Sequence, residues 1–296
     1  MHVRILGSAA GGGYPQWNCH CATCEAARAG VRARPRTQSS LALRGADGPW
    51  FLANASPDLR QQLEGLPGGS RNGLRVAPVA AVLLTDAEID HTAGLLLLRE
   101  SSAPLTIYGS DSVRGALTRG FPVLSILERY CGVEWRALGP GQPLPLEGSS
   151  LEVERFSVGG DPPVYLRGGE VEASGLVFRD RATGGVLTYA PALARLDDDV
   201  LARFAASDAV LVDGTFWCDD ELPRLGIARR TGREMGHVPL SGAAGMLEML
   251  ARIERPRKIL VHVNNTNPVL LEDSPEREAV VRAGAEVAHD GLEVEL

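Results

Sequence analysis

Thr85-Asp86-Ala87-Glu88-Ile89-Asp90-His91-Thr92-Ala93-Gly94 is the stretch on which the reading of this chain turns. It follows the apolar run Val79–Leu84 and precedes the apolar helix start Leu95–Leu98. Three carboxylates and an imidazole therefore sit between a buried strand and a helix, where open α/β sheets place their ligand sites. If the turn stays extended, Asp86, Glu88 and Asp90 point the same way. Taken alone, the segment reads equally well as solvated loop charge. Three further positions change that balance. Asp213 closes a second apolar strand (Ala209–Val212), His262 lies in a third (Lys258–Val263), and His237 follows Gly236 just before a helix. Strand ends that offer Asp and His to one rim are how oxygen/nitrogen metal sites are assembled. A satisfied core histidine is the bland reading of His262 by itself, and its company favours a ligand.

Short β-like runs recur along the whole chain, among them His2–Leu6, Ser40–Leu43, Leu105–Tyr108, Leu151–Phe156, Leu176–Phe178, Val186–Tyr189 and Leu292–Leu296. Helical patterns lie between them: one opens at Ser56-Pro57, and others cover Asp111–Thr118, Val200–Ala205, Gly242–Ile253 and Ser274–Arg282. Strands come in pairs and triplets before each helix, neither strict βαβα alternation nor all-β. The pattern predicts an α/β fold with two sheets inside and helices outside, an αββα sandwich, over one domain spanning 1–296. The Gly/Pro-rich stretches Leu138–Ser149 and Val158–Gly169 read as surface loops.

With 296 residues, 44% hydrophobic and 23% charged, the chain can bury an ample core and is neither disordered nor fibrous. Its apolar runs are far shorter than the ~20 residues that span a bilayer. The N-terminal MHVRILGSAAGGGYPQW has too short an apolar region for a signal peptide, so it reads as a first strand and the chain as cytoplasmic. A net charge of −7 argues against a nucleic-acid partner.

Of the five cysteines, Cys19, Cys21 and Cys24 form Cys-x-Cys-x-x-Cys, a spacing that suits three thiolates on one tetrahedral zinc. The expected setting is a loop too small to hold its shape by packing, so a structural ion would supply folding energy directly. Three reduced thiols are the alternative. His20 is adjacent but poorly angled, which leaves the fourth ligand open. Cys131 and Cys218 read as lone thiols. Gly11-Gly12-Gly13 lacks the spacing of a phosphate loop and reads as a place of close backbone approach.

Thr85–Gly94 resembles the T-H-x-H-x-D-H-x-x-G signature of the metallo-β-lactamase superfamily, with Asp86 and Glu88 replacing the first two histidines and Asp90, His91 and Gly94 kept. The segments ILGSAAGGGYPQWNCHC, RTQSSLAL, NASPDLR, IDHTAGLL, VDGT, RTGREMGH, NNTNP and EDSPER together resemble the pyrroloquinoline-quinone (PQQ) biosynthesis protein B family. The cysteine segment is also similar to the structural zinc loop of a cyclic phosphodiesterase branch. That branch takes its fourth ligand from a His three residues after the last-strand histidine, where this chain has Asn265.

The departures carry as much weight. Thr188-Tyr189-Ala190-Pro191 stands where the superfamily places a bridging Asp, and Phe156–Tyr165 contains no His. A two-zinc hydrolytic centre is not expected. What remains is His91 and His262 with Asp90 or Asp213, the two-imidazole, one-carboxylate set of non-haem Fe(II) oxygen chemistry. Asp86 and Glu88 add hard oxygen donors beside it. The resemblance implies Fe(II)- and oxygen-dependent hydroxylation of the tyrosine ring in a Glu-Tyr fragment of a precursor peptide, with zinc able to occupy the site in vitro. It also implies contacts with other proteins of the PQQ pathway.

Arg229, Arg230 and Arg233 lie near His237, and arginine forks suit a substrate with several carboxylates. Arg233 and His237 are the candidate catalytic pair, His237 serving as acid/base or as a metal ligand. Tyr14, Trp17 and Trp217 are candidates to stack on a flat ligand, against the commoner role of packing. A metal-dependent hydrolase and a non-catalytic carrier for the quinone or its precursor are the competing readings.

Overall fold

Alternation within the strands decides the layering. In Ala209–Asp213, Ala209 and Leu211 face one apolar layer while Val210 and Val212 face another. Leu41 and Leu43 likewise turn from Ala42, and Phe51 from Leu52, as a strand's two-residue period requires. A computed structural model describes residues 1–46, 48–66, 76–166 and 171–296. The expected loop Val158–Gly169 runs partly outside these, at 167–169.

The fold is the αββα sandwich expected from the sequence. The first sheet runs β14-β1-β2-β3-β4-β5-β6. Its strands are β1 (His2–Gly7), β2 (Ser40–Arg44), β3 (Trp50–Ala53), β4 (Val79–Leu83), β5 (Leu105–Gly109), β6 (Val133–Ala137) and β14 (Glu293–Glu295). The second runs β13-β12-β11-β10-β9-β8-β7. It comprises β7 (Leu144–Pro145), β8 (Leu151–Gly159), β9 (Ala173–Asp180), β10 (Val186–Ala190), β11 (Ala209–Asp213), β12 (Arg257–Val261) and β13 (Ala285–Val287). Each sheet is antiparallel in one half and parallel in the other. The layer between the sheets holds Ile5, Phe51, Leu83, Phe178, Leu211 and Ile259. Helices cover the outer faces, Asp111–Arg119 through Val113 and Leu117 on the first sheet and Asp198–Ala205 through Val200 and Phe204 on the second.

Several local expectations shift. The cysteine segment is not a bare loop: Cys21 caps the helix Ala22–Ala29, and Cys24 and Ala27 are buried in the core, so packing does hold it. The helix after Ser56-Pro57 begins at Leu59, because the Ser56 hydroxyl accepts the Asp58 N–H and holds a turn first. Only Met246–Leu250 of Gly242–Ile253 is helical, since Ala244 is left-handed (φ 55°) and breaks the pattern. Strand β12 stops at Val261, leaving His262 just beyond it with φ 55°.

The segment that follows β4 is clasped to the one after β3. Left-handed Asn54 exchanges amide bonds with Thr85: its Oδ1 accepts the Thr85 N–H at 3.1 Å and its Nδ2 donates to the Thr85 hydroxyl at 3.0 Å. The Ala55 N–H donates to the His91 carbonyl, and the Gly94 N–H to that of Ala55. Gly94 is required here by space, since a Cβ on it would lie 2.1 Å from the Ser56 carbonyl oxygen. A Gly94→Ala substitution is expected to cost about 3 kcal/mol, the upper end for overpacking. Thermal unfolding should show a melting temperature lower by roughly 6 °C or more.

Candidate metal centre

The C-terminal ends of β4, β11 and β12 meet at one cavity of about 280 Å³, small for a ligand site but of the right order. Asp86, Glu88, Asp90, His91, Thr215, His237, His262 and Asn264 line it, with Phe216, Leu222 and Met235 as apolar wall. Asp86 does not stay extended: its Oδ1 accepts the Glu88 N–H at 2.9 Å, turning the chain into the short helix Ile89–Thr92. That turn brings Asp90 and His91 to the cavity floor.

Each imidazole is held at Nδ1. His91 Nδ1 lies 2.7 and 2.9 Å from the Asp86 oxygens, His237 Nδ1 2.7 Å from Asp213 Oδ2, and His262 Nδ1 2.8 Å from the Thr215 hydroxyl. The Nε2 atoms are left for the cavity. His91 Nε2 is buried with no partner among the described residues, which is costly unless something else is meant to satisfy it. Asp90 Oδ2 stands 3.3 Å from His262 Nε2 and 3.8 Å from His91 Nε2. Asp90, His91 and His262 can bring one donor atom each within 4.8 Å of one another. An orphaned nitrogen beside a shared carboxylate oxygen fits a divalent ion.

Electrostatics point the same way. Burial opposes a charge on His91, but Asp86 and Asp90 outweigh it and push its pKa up to about 9. Asp90 is held well below the carboxylate range despite its burial, by His91 and His262. This cluster draws positive charge, which a metal would supply in place of protons.

Asp213 also groups with His237 and His262, yet its oxygens are already engaged. Oδ2 accepts from Leu193 N–H and His237, and Oδ1 from the Thr215 N–H and hydroxyl. Of the two carboxylates left open by the sequence, Asp90 is the one with an oxygen beside the Nε2 atoms of His91 and His262. His237 stacks on His262 with ring centroids 5.4 Å apart, as a third imidazole at the same floor.

The expected arginine grip is absent from the cavity among the described residues. Arg233 is exposed with its backbone N–H on Asp219, and Arg230 turns to the Glu234 carbonyl and Asp161. The same loop turns Met235, Gly236 and His237 to the cavity and leaves these arginines on its exposed side. Tyr14 is buried with its hydroxyl on the Thr23 carbonyl, Trp17 is 84% exposed, and Trp217 packs at the core. None of the three lines the cavity. Tyr189, where a bridging Asp was sought, points into the layer between the sheets, and Gly160, Asp161 and Pro163 bring no imidazole. Gly11 does mark a close approach, 3.2 Å from Asp90 Oδ2 to the position a Cβ would take.

The Cys19, Cys21 and Cys24 sulfurs also lie within 4.8 Å of one another. His20 turns away to Glu25. Asn265 reaches them instead, its Nδ2 3.3 Å from Cys24 Sγ and 3.8 Å from Cys21 Sγ. Cys131 and Cys218 are half-buried free thiols. A larger groove of about 490 Å³, built on the N-terminal ends of β4 and β5, carries none of this chemistry.

Sandwich and ligand-bearing strand ends define the metallo-β-lactamase class, and a Beta-lactamase superfamily domain model matches residues 49–263. Curated relatives narrow it. The chain is 46% identical to the coenzyme PQQ synthesis protein B of Methylococcus capsulatus, with 100% of both chains covered. It is 48% identical to that of Cupriavidus taiwanensis, with 99% of both covered. A crystal structure of zinc-bound PqqB from Methylobacterium extorquens superposes with a TM-score of 0.90 at 43% identity over 100% of both chains. This chain belongs to the coenzyme PQQ synthesis protein B family. A diphosphatase of the PhnP family, 19% identical with a TM-score of 0.71 over 100% of this chain and 96% of its own, shares the fold.

Replacing His91 or His262 by Ala is expected to abolish metal binding at the cavity while the cysteine-held ion stays, as metal analysis would show. Because a ligating imidazole must lose its proton, and that of His91 is held up to about 9, affinity at the cavity should rise as pH is raised from 6 to 9. Isothermal titration in buffers of different ionisation enthalpy would reveal the released proton. Cys21→Ser should lose about one zinc equivalent and unfold at lower temperature.

Proposed function

We propose that this chain acts in the biosynthesis of PQQ, in the cytoplasm, by hydroxylating the tyrosine ring of a Glu-Tyr fragment with molecular oxygen. The observation that carries the reading is the grouping of Asp90, His91 and His262, two imidazoles and one carboxylate at the floor of a cavity. That set suits Fe(II), which when bound would supply the redox chemistry that zinc cannot. Phe216, Leu222 and Met235 offer an apolar wall for an aromatic ring. Asp86, Asp213 and Thr215 hold the imidazoles still while substrate enters. One oxygen atom would go to the ring and the other to water, so two electrons must come from an external reductant.

No helix among the described residues is long and apolar enough to cross a membrane. The cysteine cluster would hold a structural zinc, distinct from the reacting centre. Other proteins of the pathway would deliver the precursor fragment and receive the product.

Two other readings make different demands. A hydrolase built on the superfamily's two-metal plan would use a bridging Asp near Ala190 and a histidine within 156–165, and this chain has neither there. A carrier would bind without consuming anything. Fe(II)-loaded protein with ascorbate and a Glu-Tyr dipeptide should take up oxygen in proportion to hydroxylated product and be silent without air. Cleavage under anaerobic conditions would establish the hydrolase, and tight binding with no oxygen uptake the carrier.

A further inference from the structure

Thr215 belongs to no ligand group, yet its hydroxyl has four polar neighbours. Asp213 Oδ1 lies 2.6 Å away, His262 Nδ1 2.8 Å, the His262 carbonyl 2.9 Å and His237 Nδ1 3.1 Å. A hydroxyl has one proton to give and lone pairs to receive others. We infer that Thr215 is a positioning residue that links the Asp213 carboxylate to His262 and thereby fixes which nitrogen of His262 faces the metal centre.

The proton count leads there. Asp213 already receives the N–H groups of Leu193 and Thr215, so it serves as an acceptor throughout. It is the nearest neighbour of the Thr215 hydroxyl and, as a carboxylate, the strongest acceptor, so the hydroxyl proton goes to Asp213 rather than to the His262 carbonyl. The oxygen can then only accept from His262, whose Nδ1 must carry the hydrogen. Its Nε2 is left to face Asp90 Oδ2 at 3.3 Å, donating to it in the metal-free protein and able to offer a lone pair to an ion once that proton is displaced. His237 reaches the same state by donating directly to Asp213 Oδ2 at 2.7 Å. One buried carboxylate thus sets two imidazoles, one by contact and one through a hydroxyl.

The inference rests on reading this centre as a metal site and makes no use of the dipeptide or of oxygen. Its test compares zinc affinity at the cavity in Thr215→Val, Thr215→Ser and the unsubstituted full chain, with the cysteine-held ion as an internal control of folding. Thr215→Val keeps the shape and loses the hydroxyl, and should weaken zinc about tenfold or more, the scale for residues that orient a ligand. Thr215→Ser should recover most of that loss, which a merely structural role of the methyl group would not permit. NMR of nitrogen-labelled histidine rings in the metal-free protein at high pH should find the His262 proton on Nδ1, and a shift toward Nε2 in Thr215→Val. Equal zinc affinity in Thr215→Val, an unchanged His262 tautomer, or a failure of Thr215→Ser to rescue would overturn the assignment. If the unsubstituted chain bound no zinc beyond the cysteine-held ion, the metal reading itself would fall and take the inference with it.

Discussion

The spacing between the two sheets is the constraint on which this molecule depends. Asp90 and His91 arrive from the first sheet, after β4, while Asp213, His237 and His262 arrive with the second. Neither half can form the centre alone. Their separation is set by the apolar layer of Phe51, Leu83, Phe178, Leu211 and Ile259, large side chains packed to near-zero exposure. Interiors of this density transmit small changes in volume, so a core substitution well away from the cavity would still alter ligand distances.

Burying this much charge requires exact pairing of donors and acceptors. Asp86, Asp213 and His91 are almost wholly shielded from water. Each carboxylate oxygen described above receives a backbone N–H, a hydroxyl or an imidazole, and isolated charge in such surroundings would be expensive. The cost is distributed along the chain in a regular way. Two strand ends supply the acceptors: the turn after β4 gives Asp86 to His91, and the end of β11 gives Asp213 to His237 and Thr215 to His262. The clasp of the Asn54 side-chain amide on Thr85 ties the turn after β4 to the segment after β3.

Much of this was legible in the residues. The apolar runs ending in Asp86, Asp213 and His262 announced both sheets and the rim at which they meet, because strand ends and polar side chains coincide there. The edge strands β7 and β13 were not read: Leu144–Pro145 lies within a Gly/Pro-rich stretch, and Ala285–Val287 follows a helix with little apolar run of its own. The helix through Cys24 was hidden by reading the cysteines only as ligands, although Ala22, Ala26, Ala27 and Ala29 are good helix formers. The arginines misled for a plain reason: closeness in sequence to His237 says nothing about direction, and the loop that turns Met235 and His237 inward leaves its arginines exposed. Thr215 was missed because a threonine two residues after an aspartate has no spacing signal, and its importance lies in contacts with His237 and His262, residues far along the chain.

The span from His262 to Asn265 touches both clusters of donors, imidazole at one end and thiols at the other. Between them Val263 pairs with Ser8 and Ala10, so the span is held as a short strut. The two ends differ in chemical softness. Sulfur prefers thiophilic ions, and a nitrogen and carboxylate set is more tolerant of harder ones. Were ions to fill both groups, a thiophilic one would favour the sulfur end and a harder one the imidazole and carboxylate end.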